Sequence, residues 1–262
     1  MSHYKTIQLS KDHRLASVIL NRPEIHNAIN LQMIRELTDA IKSLESDKET
    51  RIIIFRSNGD HFCSGADLIW MKDGLEQTGE QLASESLELA RLFELIYRSS
   101  KVTVCGVHGK VIGGANGIVA ASDIAIADDT TIFSFSEVKL GLIPATISPY
   151  VIRKIGGSRM RELMLTGRGF DAVEAYESGL VHRICKPGGL EQTLDGLTTL
   201  LLANGPEAQS GIKELIRDLE DNPDNKKLVE ETAKLIAKFR LSKEGQEGMN
   251  AFLEKRKPNW SE

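Results

Sequence analysis

Apolar residues along this chain recur with two periods. Ile52, Ile53, Ile54 and Phe55 run together within 51–56, and with 17–20 they read as strands buried on both faces, as in a parallel sheet. Between them Leu31, Ile34, Leu37, Ile41 and Leu44 recur at helical spacing behind Asn30, a residue suited to cap a helix start. A third strand is predicted over 102–107, ending at Gly109. Gly113 and Gly114 then make a turn that opens a short apolar helix through 118–121. Two more strands are predicted at 123–127 and 132–135. Strands alternating with helices indicate an α/β fold with right-handed crossovers.

From Ser158 onward the pattern is helical. Asp171 and Glu174 have capping-box spacing, and Gly179 suits the left-handed position that ends such a helix. A short strand over 181–185 stops at Pro187, Gly188 and Gly189. Amphipathic helices follow at 190–203, 212–219, 228–239 and 249–253. These divide the chain into an α/β core over 1–190 and a helical extension over 191–262. The extension carries more apolar faces than one side of a single domain can cover, so it reads as an oligomerisation region.

Composition narrows the function classes. The 262 residues are 41% hydrophobic and 27% charged, as in an ordinary globular protein. Lys+Arg total 33 against 37 Asp+Glu, a net charge of −4, which argues against a nucleic-acid partner. Apolar runs such as 52–55, 68–71 and 124–127 are far below the ~20 residues of a membrane span. Residues 1–5 lead straight into strand-like alternation, without a secretory apolar stretch. Cys63, Cys105 and Cys185 are far apart, with no CxxC and no metal-ligand spacing. The expectation is a cytoplasmic protein with reduced thiols, no metal and no membrane role.

Two turns could carry chemistry. GxxxxGK[ST], HExxH and GxSxG are all absent. The segment 113–117 is glycine-rich but is not GxGxxG, so a nucleotide cradle and simple close packing both remain open. The second turn lies at 61–67, where Asp67 is a natural helix-start residue. Each turn follows a strand and presents unsatisfied N–H groups at a helix start. Two such groups aimed at one point would form an oxyanion hole. Cys105 and His108 read as a buried thiol and a satisfied core histidine, and Asp123 as structural. Asn116 fits either a helix-start role or substrate contact.

The tracts ILNRPEIHNAIN (19–30), FCSGADL (62–68), GVHGKVIGGANGIVAASDIAIA (106–127), FSFSEVKLGLIP (133–144) and EGMNAFLEKRKPNW (247–260) together resemble the crotonase (enoyl-CoA hydratase/isomerase) superfamily. Residues 136–151 look most like its bacterial methylglutaconyl-CoA hydratase-type subgroup. The resemblance implies a crotonase-like spiral of ββα units, a homotrimer or hexamer, and acyl-CoA thioester substrates. It implies no cofactor, since coenzyme A is carried by the substrate.

Carried over residue by residue, the oxyanion N–H groups belong to Ala66 and Gly114, and a catalytic glutamate matches Glu137. Arg22, Ala28, Ala66, Asp67 and Leu68 match tracts that line the CoA site. Lys255 matches a lysine reaching the CoA phosphates of a neighbouring subunit. The family's hydratases use two glutamates, and Gly117 stands where the first would be. Hydration of a 2-enoyl-CoA is the leading expectation. Its rivals are double-bond isomerisation with one carboxylate and a silent acyl-CoA-binding protein.

Overall fold

A computed structural model describes residues 4–222 and 225–261. The chain opens with β1 (Ile7–Asp12) and β2 (Leu15–Leu20), then α1 (Leu31–Ser46), β3 (Ile52–Ser57), α2 (Leu68–Gly74) and α3 (Gly79–Arg98). Next come β4 (Val102–Val107), β5 (Lys110–Ile112), α4 (Ala115–Ala121), β6 (Ile124–Asp128) and β7 (Ile132–Ser134). The rest comprises α5 (Ser148–Thr166), β8 (Gly169–Asp171), α6 (Ala172–Glu177), β9 (Arg183–Cys185), α7 (Leu190–Leu202), α8 (Pro206–Asp221), α9 (Leu228–Leu241) and α10 (Lys243–Leu253).

Two compact units result. One holds the chain up to Ser99 with Thr103–Leu194; the other holds Ser100–Val102 and the chain from Asp195 onward. In the first, a six-stranded sheet runs β1-β2-β3-β4-β6-β9, and a three-stranded sheet runs β5-β7-β8. β2 pairs with β3, β4 with β6, and β6 with β9, all parallel, while β1 is an antiparallel edge. This is the α/β crotonase-like fold that the strand–helix alternation and the resemblance predict.

Local chemistry explains the main elements. Asn30 accepts a hydrogen bond from Met33 N at 2.9 Å and starts α1, whose Met33, Ile34, Leu37, Ala40, Ile41 and Leu44 are buried. Ile52–Phe55 in β3 and all six residues of β4 are buried, as a central strand requires. β2 differs from expectation: Ala16, Val18 and Leu20 are buried, but Ser17 and Ile19 are only half-buried. α3 is absent from the sequence reading, and α5 starts ten residues earlier than expected. Gly156 (φ 68°, ψ 164°) breaks α5 into two limbs, and the predicted onset at Ser158 falls on the second.

In the second unit α10 packs on α8 and α9. Lys213 of α8 is buried and donates to the Lys101 carbonyl at 2.5 Å. Trp260 Nε1 donates to the Ala203 carbonyl at 3.2 Å.

Candidate active site

The chain after β3 is held in an extended course by two isolated bridges. Cys63 N donates to the Lys110 carbonyl at 3.0 Å, and Ile112 N to the Cys63 carbonyl at 3.0 Å. On the other side Ile29 N donates to Gly65 O at 2.7 Å, and Asp67 N to Ile29 O at 2.8 Å. Gly65 takes φ +99°, and a Cβ there would stand 3.3 Å from the Ile112 carbonyl, so only glycine suits the turn. Cys63 is buried, which pushes its thiol up to about 12, and its sulfur accepts from Gly65 N at 3.4 Å. It shapes the turn as a neutral thiol.

The same pairing delivers β5 into the glycine turn. Gly113 N donates to the Ser134 carbonyl of β7 at 2.8 Å, while buried Asn116 donates to carbonyls of Val111, Gly113 and Ser134. Helix-start geometry is therefore its visible role. Ile29, bridged to Ala66, has its Cδ1 3.9 Å from where a Cβ on Gly114 would lie. Ile29 thus meets one turn through its backbone and stands beside the other with its side chain. Among the described residues, the N–H groups of Ala66 and Gly114 donate to no protein acceptor. Ala66 is exposed and Gly114 half-buried, so both are open to a ligand.

Glu137 enters from a 3-10 turn over Ser136–Leu140 that follows β7 and closes at Gly141. Its Oε1 lies 3.1 Å from where a Cβ on Gly113 would stand, and Gly113 has φ +55°. The carboxyl therefore occupies space that the absent side chain leaves. Its Oε2 is buried without a hydrogen-bond partner. Burial raises the Glu137 pKa above the usual carboxylate range. The result is a half-desolvated carboxyl against Gly113, the residue before the unpaired N–H of Gly114.

Gly117 lies in α4 under a closed roof. A Cβ there would come 2.5 Å from Ile147 Cγ2 and 2.6 Å from Phe93 Cε1 and Cζ. Space for a second carboxylate is filled by apolar side chains. Tyr150 and Tyr97 continue this layer in edge and tilted contacts.

The residues matched to CoA binding occupy two places. Arg22 donates to the Ala28 carbonyl at 2.7 Å and pairs with Asp67 Oδ2 at 2.8 Å. Asp67 Oδ1 accepts from Ile69 N at 2.8 Å, capping α2. Burial pushes the Asp67 carboxyl up, but the Ile69 N–H and the Arg22 guanidinium outweigh it and hold the group below its ordinary value. Leu68, the first residue of α2, is exposed. Lys255 belongs to the second unit, just beyond α10, with φ 54°. Its neighbour Arg256 pairs with Glu247 and Glu254, while Lys255 has no ion-pair partner among the described residues.

Other candidates have structural partners. Asp123 Oδ2 accepts from Thr103 N at 2.7 Å and Oγ1 at 2.9 Å. Cys105 is buried, which raises its thiol pKa. His108 is half-buried rather than in the core, with Nε2 2.7 Å from the Gly59 carbonyl. Among the described residues no three His, Cys, Asp or Glu side chains cluster as metal ligands would. Ile29 and Phe93 are the site residues that sequence reasoning missed.

A sequence model described as enoyl-CoA hydratase/isomerase matches residues 10–262. An enoyl-CoA hydratase of Mycobacterium tuberculosis is 33% identical over 248 residues, covering 93% of this chain and 91% of the relative. A trans-2-decenoyl-[acyl-carrier-protein] isomerase of Streptococcus mutans is 30% identical over 274 residues, covering 98% of each chain. The crystal structure of an enoyl-CoA hydratase from Shewanella pealeana superposes with a TM-score of 0.95 at 38% identity, covering 98% of this chain and 96% of the other.

Proposed function

This chain belongs to the enoyl-CoA hydratase/isomerase family of enzymes, and on that premise we propose that it catalyses the reversible hydration of a 2-enoyl-CoA thioester. The N–H groups of Ala66 and Gly114 donate to the thioester carbonyl oxygen. Glu137 takes a proton from water as the water oxygen adds to C3. The electron pair moves through C2 onto the thioester oxygen, where the two N–H groups hold the enolate. The same carboxyl then returns its proton to C2, so H and OH have been added and Glu137 is restored.

The observation that carries this reading is Glu137 itself. It is a desolvated carboxyl with one unpaired oxygen, seated against Gly113, the residue before Gly114, whose N–H is also unpaired. A raised pKa makes the protonated form a usable acid and the ionised form a stronger base than an exposed carboxylate.

Isomerisation is the second reading, favoured by the apolar roof over Gly117. With one carboxylate, a proton leaves C2 of a 3-enoyl-CoA and returns at C4. The isomerase among the relatives supports it.

Arg22, Ala28, Asp67, Leu68 and Lys255 complete the proposed CoA site, with Lys255 serving a neighbouring subunit of a trimer or hexamer. No separate cofactor takes part, and the setting is cytoplasmic, which three free cysteines support. A branched or methylglutaconyl-type acyl group is the proposed substrate class, on the resemblance of 136–151.

A panel of short, branched and carboxylated 2- and 3-enoyl-CoAs, read by mass spectrometry for water uptake and by absorbance of the conjugated 2-enoyl thioester for isomerisation, tests this. Mass gain of one water on a 2-enoyl-CoA is the expected result. Conversion of 3-enoyl to 2-enoyl without water uptake would favour isomerisation. Binding without turnover across the panel would leave a silent acyl-CoA binder.

A further inference from the structure

Asn116 is fully buried near the start of α4. Its Nδ2 lies 3.0 Å from the Ser134 carbonyl, 3.1 Å from that of Gly113 and 3.3 Å from that of Val111. An amide NH2 has two hydrogens, so three acceptors share them. Its Oδ1 is buried and has no partner. The reversed amide would set that oxygen against three carbonyl oxygens, so the neighbours fix its orientation.

Those three carbonyls mark three parts of the site. Val111 lies within β5, the strand that leads into the glycine turn, Gly113 is the turn, and Ser134 ends β7 three residues before Glu137. Packing alone does not call for an asparagine here. The surrounding positions Ala115, Ile118 and Val119 are apolar and fully buried, and an unpaired buried carbonyl is unfavourable in such company.

We propose that Asn116 is the positioning residue that fixes the Glu137 carboxyl relative to the Gly114 N–H, an assignment that rests on the thioester reading of this site. It joins the segment carrying the acid–base group to the segment carrying the oxyanion donor. Neither link passes through substrate. Misplacement of reacting groups by about an ångström costs on the order of 10²-fold in rate.

The test compares Asn116→Asp and Asn116→Ala with the parent, using whichever enoyl-CoA the parent turns over. Asn116→Asp keeps the shape, but once ionised it has no donor for the three carbonyls. Burial against three carbonyl oxygens raises the pKa of that carboxyl, so it takes up a proton as pH falls towards about 6 and regains one donor. At about pH 8, kcat should fall about 10²-fold with KM little changed, and Asn116→Ala should match it. Relative to the parent at each pH, the Asn116→Asp deficit should shrink severalfold by about pH 6, while that of Asn116→Ala stays constant.

Turnover within about threefold of the parent in both variants would overturn the proposal. So would equal, pH-independent deficits, or failure of both variants to fold by circular dichroism, since the asparagine would then serve the fold alone. An inactive parent would instead refute the functional reading itself, an outcome separable from the others because no variant is needed to see it.

Discussion

A glutamate held in a half-dry site trades stability for reactivity. Burial raises the Glu137 pKa, so folding favours the protonated acid. Below about pH 4 the unfolded chain holds that proton too, and the folded state is not penalised. As pH rises, the unfolded carboxyl ionises first, and stability is lost until the raised folded pKa is passed. Glu137→Gln cannot ionise. Its Tm should match the parent's near pH 4 and exceed it near pH 8 in thermal scans. Equal Tm values at the higher pH would mean that the carboxyl is not desolvated.

Gly117 raises the opposite issue, since the resemblance sets it where a first catalytic glutamate is expected. The roof of Ile147 and Phe93 leaves no room for a Cβ, let alone a carboxylate. Gly117→Glu should therefore leave crotonyl-CoA hydration unimproved and destabilise the fold by about 1–3 kcal/mol through overpacking. A folded variant hydrating crotonyl-CoA at least about tenfold faster than the parent would contradict this.

At the scale of elements, Asp67 joins two of them. Its Oδ1 caps α2, and its Oδ2 anchors Arg22, with side chains only 17% and 8% exposed. Asparagine caps about as well as aspartate but cannot form the ion pair. Asp67→Asn should thus lose about 3 kcal/mol, and Asp67→Ala about 0.5–2 kcal/mol more, in urea unfolding. If the two variants were equally stable, the cap would contribute nothing.

Legibility also differs element by element. α1 is readable because a capping asparagine precedes an unbroken apolar stripe, and β3 because its apolar run is central. α3 is not, because only Leu92, Phe93 and Ile96 of its 20 residues are buried, which leaves its first turns without a stripe. Thr78 and Gln81 did spell a capping box there. β5 and β8 have three residues each, too few for alternation to register. Missing α3 hid Phe93, and with it the reason Gly117 is glycine. Ala66, Gly114 and Glu137 were reachable through their tracts. Their approach was not, because the pairing of Ile29 with Ala66 and of Gly113 with Ser134 is long-range, and periodicity carries no such information.

For the whole molecule, the second unit leaves Val229, Leu241, Phe252 and Leu253 each more than three-quarters exposed. Ile212, Leu215, Ile236 and Phe239 line an apolar groove between α8 and α9. Apolar surface of this kind marks an interaction face. Sedimentation at micromolar concentration should give a trimer or hexamer, and a monomeric mass would contradict the assembly.

One carboxylate and two backbone N–H groups are a small set of groups for a complete reaction, and removing the carboxylate isolates its part. The direct measurement is steady-state turnover of an enoyl-CoA by the parent and Glu137→Gln, with calorimetric binding of a saturated acyl-CoA to each. Turnover should fall by ~10²-fold or more, the usual worth of a positioned acid–base group, while affinity stays within about threefold. Turnover near that of the parent, with binding intact, would remove Glu137 from the mechanism.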